Sequence, residues 1–428
     1  MSRPPGEGSH KTADLPRASW LGSEVHRSWV RHEASRLLEF FRHSLVDGWF
    51  RELDDDGEPV GAPGEPPRQD VLNVARAVHT YALAGMLGVP GGARLVTTGL
   101  EALWERHRDP VAGGYMAAVG PDGPVDHTKS AYNHAFVLLA ASTALTAGYP
   151  ARELFDDALA TIDEHFWSES DGASSEAYDG QWREIEAYRG ANSNMHLTES
   201  LLAAADATGR SDLAERAVRI AVKLIDGHAR SNGWLLPEHY TPSWEPVLGY
   251  NRERMDDRFR PYGATVGHSV EWARLLLAAG LATGRLHEPW CLPASQALFA
   301  RAMQAGWDEG VGGLAYTVDW DGGPANTDHY WWPVAEAIGT SSYLLRLTGD
   351  QVYEVWYRRF WEHASEVLID HERGGWYPVF DAGNRKKSHP WRGKPDVYHA
   401  FQACLLPLLP LAPSLAGATW AASGPAQA

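Results

Sequence analysis

GGLAYTVDWDG, residues 312–322, opens on paired glycines, runs through alternating strand-like residues and closes on a second glycine turn. That is the pattern of a short β-hairpin. The same design recurs five more times, as GWFRELDDDG from Gly48, GGYMAAVGPDG from Gly113, DGASSEAYDG from Asp171, NGWLLPEHYTPSW from Asn232 and GGWYPVFDAG from Gly374. The copies fall roughly every 60 to 80 residues, so a structural repeat underlies the chain. Each copy lies between two long helix-like segments, and the chain therefore reads as six helix pairs punctuated by hairpins.

After each hairpin comes a run with apolar residues at i, i+3 and i+4, such as VLNVARAVHTYALAGML from Val71 and VGHSVEWARLLLAAGLATG from Val266. Three of these runs reach a helix-terminating glycine, at Gly209, Gly284 and Gly349. Between them lie more charged partners, including DLAERAVRIAVKLID from Asp212. The first set is apolar almost all round and the second is amphipathic, the contrast expected of inner helices enclosed by an outer ring. The expected fold is all-α, an (α/α)6 barrel with short β-hairpin loops at the active-site end. Residues 16–415 are expected as a single catalytic domain, with flexible tails over 1–15 and 416–428.

A chain of 428 residues with a formal charge of −17 lacks the basic surface that nucleic acid or anionic membrane binding requires. Neither partner is expected. Cys291 and Cys404 are too few for a disulfide framework or a thiolate metal cluster. The N-terminal residues carry no apolar secretory stretch, and the apolar run from Leu405 is broken by prolines, so a cytoplasmic protein is expected. The 19 Trp, 16 Tyr and 11 Phe exceed what a helical core needs. Such rings either stack on the C–H faces of a sugar or pack the interior.

Polar residues recur in step with the repeat near the starts of the apolar helices: Arg76, Tyr132, His196, His268, Glu336 and His399. In a ring they converge on one central pocket. His196 with Glu199, and His268 with Glu271, are spaced to share a helical face, where the carboxylate fixes the imidazole tautomer and raises its pKa toward neutrality. Proton-transfer catalysis needs that arrangement, while a structural hydrogen bond is the alternative. His and Glu at this spacing also build metal centres, yet no HExxH, Asp-rich loop or Cys/His cluster accompanies them. No metal and no cofactor are expected. Trp331, Trp332 and Glu336 bring ring faces and a carboxylate to another helix start. Arg189, Asn192 and Asn194 precede or open a further one, and Lys394 and Asp396 stand before His399.

The stretches ARAVHTYALA, DHTKSAYNHAFVLLA, RGANSNMHLTES, GHSVEWARLLL, WWPVAEAI and WRGKPDVYHAFQA, spread over residues 20–412, resemble the N-acylglucosamine 2-epimerase family. The resemblance is closest in its mannose isomerase branch, through NMHL and GKPDVYHA. It implies an (α/α)6 barrel and metal-free sugar interconversion, with His268 and His399 as the catalytic pair. It also implies that Arg76, Asn192, His196, Glu271, Trp332 and Glu336 hold the sugar or orient the histidines, and Tyr132 joins them as a substrate contact. The expected reaction is reversible isomerisation of D-mannose to D-fructose through a cis-enediol, with a monosaccharide as the only partner and the protein a monomer or homodimer. Sugar 2-epimerisation of cellobiose or N-acylglucosamine type, and inverting glycoside hydrolysis, are the alternatives.

Overall fold

Helices buried on every side alternate along the chain with helices buried on one face. In this computed structural model, residues 19–61, 67–395 and 397–424 are described; the tail expected over 1–15 and Asp396 lie outside them. The enclosed helices are α2 (Val71–Met86), α4 (Ala131–Thr146), α6 (Ala191–Thr208), α8 (Val266–Thr283), α10 (Trp331–Thr348) and α12 (Tyr398–Leu405). The others are α1 (Glu24–Phe41), α3 (Ala93–Ala102), α5 (Arg152–Thr161), α7 (Ser211–Ala221), α9 (Leu292–Gly306) and α11 (Gln351–His363). Every residue of α8 from Val266 to Gly280 is buried, whereas α7 buries only the stripe of Leu213, Ala214, Ala217, Val218, Ile220 and Ala221. Gly209, Gly284 and Gly349 end α6, α8 and α10 in the left-handed conformation that glycine adopts without strain.

Each enclosed helix packs on the next, from α2 through α4, α6, α8 and α10 to α12, and α12 packs on α2, so the circuit closes. A second circuit runs through the backbone at the N-terminal ends of these helices. The two residues before each of the first five enclosed helices pair with the hairpin of the following copy: Gln69–Asp70 with 118–119, Lys129–Ser130 with 177–178, Arg189–Gly190 with His239–Tyr240, Ala264–Thr265 with 317–318, and 329–330 with Val379–Phe380. The last of these pairings joins Lys394 to Leu53, the sixth copy to the first. The first, third, fourth and sixth hairpins shrink to the single bridges Leu53 with Pro59, Tyr178 with Glu184, Tyr240 with Pro246 and Phe380 with Lys386.

Buried lysines lock this rim. Lys394 is fully enclosed and donates to the Asp370 carboxylate at 2.7 Å, to the Gly374 carbonyl at 2.6 Å and to the Asp55 carbonyl at 2.9 Å. It thereby ties the sixth hairpin turn to the first. Lys129 does the same between the second and third copies, reaching Asp109 at 2.9 Å and the Gly180 carbonyl at 3.1 Å.

Of the tail expected over 416–428, residues 425–428 lie outside the described ones, and 416–423 belong instead to a helix, α13 (Leu415–Ser423), packed on α2, α4 and α6. Ser414 caps it and also hydrogen-bonds Asp206 at 2.6 Å. The helix lies so close that a Cβ on Gly417 would stand 1.8 Å from the Asp206 carboxylate. Three prolines upstream and a face of small residues hid it, because LAGATWAAS has no amphipathic period. Among the described residues no helix is long and apolar enough to cross a membrane.

Candidate active site

The first turns of the enclosed helices border a pocket of about 100 Å³ that widens into a vestibule of about 770 Å³. Arg76 from α2, Tyr132 from α4, Asn192 and His196 from α6, His268 and Glu271 from α8, Trp332 from α10 and His399 from α12 all face it. Glu336 stands behind His399.

Two histidines are held in the same manner by different carboxylates. His399 Nδ1 lies 2.9 Å from Glu336 Oε1. His268 Nδ1 lies 3.0 Å from each oxygen of Glu238. An ionised carboxylate only accepts, so each Nδ1 carries its proton and each Nε2 keeps a free lone pair for the pocket. The partner of His268 is therefore Glu238, from the loop before α8, and not Glu271 as the spacing suggested. Glu271 turns inward instead, its oxygens buried and without hydrogen-bond partners among the described residues. Burial and the charge of Glu336 hold its carboxyl well above the usual carboxylate range.

His196 also departs from expectation. Its Nδ1 is 3.6 Å from Glu199 and 3.8 Å from Glu271, too long for a hydrogen bond. Burial outweighs the nearby carboxylate and lowers its pKa to about 4, so it stays neutral near pH 7. Its ring meets Tyr132 edge-on at 5.0 Å and Phe136 at 4.6 Å. Burial alone would raise Glu199, but His196, Arg274 and Tyr398 together bring it down to about 2. Arg274 joins the cluster: it grips Glu336 Oε2 through Nε at 3.2 Å and Nη2 at 3.0 Å, and stands 3.8 Å from Glu199 and 4.0 Å from Glu271.

Arg76 lies between the rings of Phe136 and Tyr398, at 4.6 and 4.9 Å, and donates to the Tyr132 hydroxyl at 3.0 Å. Its guanidinium is thus stacked and aimed without leaving the pocket wall. Trp332 spans the two paired histidines, its ring 5.1 Å from that of His268 and 5.7 Å from that of His399. Gly267 makes room for it, because a Cβ there would sit 2.2 Å from the indole. Gly267→Ala is expected to lower the unfolding free energy by about 1–3 kcal/mol in a denaturant titration, with activity falling as Trp332 is displaced. An unchanged midpoint and full activity would show that the indole is not wedged there.

The sequence pattern of the N-acylglucosamine 2-epimerase (GlcNAc 2-epimerase) family matches residues 18–403. The chain belongs to that family. It is 44% identical over 408 residues to the D-mannose isomerase of Pseudomonas cannabina pv. alisalensis, covering 94% of this chain and 97% of the relative. It is 45% identical to the D-mannose isomerase of Thermobifida fusca, covering 93% and 98%. A crystal structure of D-mannose isomerase superposes with a TM-score of 0.83 at 29% identity, covering 92% of this chain and 99% of that one.

Several residues expected near the site of this epimerase-family protein serve the frame instead. Asn194 accepts from the Ser174 N–H at 2.8 Å and donates to the Gly190 carbonyl at 2.9 Å, Arg189 pairs with Glu184 at 2.7 Å, and Lys394 holds the rim. Asn192 does border the pocket, and its buried Oδ1 has no partner among the described residues. Glu238, Arg274, Tyr398 and Phe259 are residues that sequence reasoning passed over. Glu238 could have been found: its carbonyl accepts from the first N–H of α6 just as that of Glu176 does from α4, and the two hairpins read EHY and EAY. Phe259 lies on an irregular loop pinned by Arg258 to the Pro390 carbonyl and by Arg260 to Glu186, and its ring meets Tyr132 at 5.8 Å where the pocket joins the vestibule.

Proposed function

We propose that this protein is an aldose–ketose isomerase that interconverts D-mannose and D-fructose. The observation that carries the reading is the pair of histidines, each with Nδ1 tied to its own buried carboxylate and Nε2 left for one shared pocket. Near full-length likeness to D-mannose isomerases supports the substrate. The two closed circuits of helices and rim strands support an (α/α)6 barrel with residues 16–415 as one catalytic domain.

In this reading the sugar binds in open form, with Arg76, Tyr132, Asn192 and His196 around its oxygens and Trp332 against its carbon skeleton. One of His268 and His399 takes the C2 proton at Nε2 and returns it to C1. The other moves the hydroxyl proton from O2 to O1, so that C1=O becomes C2=O with no net proton change. Arg76 faces the negative charge that develops on the cis-enediolate. The two groups close enough to hold a cation, His196 with Glu199 and Glu271, and Glu271 with Glu336 and His399, both have the Arg274 guanidinium within 4.0 Å of their glutamates. The reaction is accordingly read as metal-independent.

Incubation with D-mannose, with and without chelator, tests both statements. Fructose formed at the same rate in both is the expected result. Glucose as the sole product would replace isomerisation by 2-epimerisation, and loss of turnover with chelator would replace the metal-independent reading.

A further inference from the structure

We propose that Arg274 is a positioning residue for His399, acting through Glu336 to fix which imidazole nitrogen is free to take a proton. The proposal rests on the isomerase reading for its kinetic consequences and on geometry alone for the tautomer.

Arg274 is buried two turns inside α8, away from the pocket lining, and its guanidinium grips Glu336 Oε2 through two N–H groups at 3.2 and 3.0 Å. The other oxygen of Glu336 meets His399 Nδ1 at 2.9 Å. A buried carboxylate with no counter-charge takes up a proton, and a protonated Glu336 would donate to Nδ1 and turn the imidazole around. With Arg274 satisfied on one side, the carboxylate remains acceptor-only, Nδ1 must donate, and Nε2 carries the lone pair into the pocket. The groups facing this unit are Glu271 on the same helix, Glu199 and His196 from α6, Arg76 from α2 and Tyr398 from α12, whose hydroxyl donates to Glu199. Arg274 lies within 4.0 Å of Glu199, Glu271 and Glu336 alike. Its charge therefore serves both the His399–Glu336 pair and the His196–Glu199 pair. His268, whose carboxylate Glu238 has no contact with this arginine among the described residues, is oriented independently.

Three variants read the assignment. Arg274→Lys keeps the charge and loses the two-pronged grip, and is expected to lower kcat at least about tenfold with KM within about twofold. Glu336→Gln beside Arg274 must turn its carbonyl to the guanidinium and its amide to His399, so Nδ1 becomes an acceptor and kcat falls about 10²-fold or more. Arg274→Met in the Glu336→Gln background removes the cation and one carboxylate together, and where thermal melts show the double variant folded it is expected to be no slower than Glu336→Gln alone. Nitrogen NMR of His399 in the free protein supplies a readout that needs no turnover, with a protonated Nδ1 expected in the wild type and an unprotonated one in Glu336→Gln. The proposal is overturned if Arg274→Lys raises KM at constant kcat, if the double variant is more than about tenfold slower than Glu336→Gln, or if the wild-type ring carries its proton on Nε2. A wild type that makes no ketose yet shows the protonated Nδ1 would remove the isomerase reading and leave the Arg274 assignment supported.

Discussion

His399→Ala is expected to lower kcat on mannose by about 10²- to 10⁴-fold, the contribution of one positioned acid or base, while the protein stays folded. The imidazole is enclosed, but its loss leaves Glu336 gripped by Arg274, so no buried charge is stranded. His268→Ala should cost a similar factor in kcat with a different stability signature. Among the described residues Glu238 would keep only the Thr265 N–H at 3.4 Å, and a buried carboxylate left nearly alone destabilises by about 1–3 kcal/mol. Steady-state kinetics and thermal melts on the two variants separate these effects. Near-normal turnover in either folded variant removes that histidine from the chemistry.

Glu238→Gln should be almost as damaging as losing His268 itself. Both Glu238 oxygens lie 3.0 Å from Nδ1, so the imidazole proton is shared between two acceptors. Glutamine replaces one by an N–H donor, and the Thr265 N–H, bonded to Oε1, draws the remaining carbonyl to its own side. The amide N–H then stands as close to Nδ1 as the remaining carbonyl and competes for its lone pair, so the imidazole proton is no longer held on Nδ1 and the lone pair at Nε2 is no longer fixed in the pocket. We expect kcat to fall about 10²-fold or more, with KM little changed because Glu238 does not line the pocket. Unaltered kcat would reduce Glu238 to a packing role.

The repeat was legible because each copy restates the same local chemistry, glycine turns, short alternating strands and an apolar helix, and three of those helices end on a left-handed glycine. The convergence of Arg76, Tyr132, His196, His268 and His399 followed from their places at equivalent helix starts. What lay outside that reading was chemistry fixed by contacts between copies. The i, i+3 rule correctly put Glu271 and His268 on one helix face, but the imidazole found a better acceptor 30 residues upstream on a loop. Arg274 reads as one more charge in an apolar helix until α6, α10 and α12 bring carboxylates to it. Helix α13 lacks any period because it packs through small residues on several sides at once.

The contact between Lys394 and the first hairpin bears on the order in which the molecule can be made. A chain emerging from its N-terminus builds five hairpins in succession, each finding its neighbour soon after synthesis. The first waits more than 330 residues for its partner, because Lys394 must reach the Asp55 carbonyl across the longest separation in the rim. His399 follows Lys394 by only five positions. The arc becomes a ring and the pocket acquires its second paired histidine within the same few residues, so a chain that stops short of Lys394 holds an open, incomplete site.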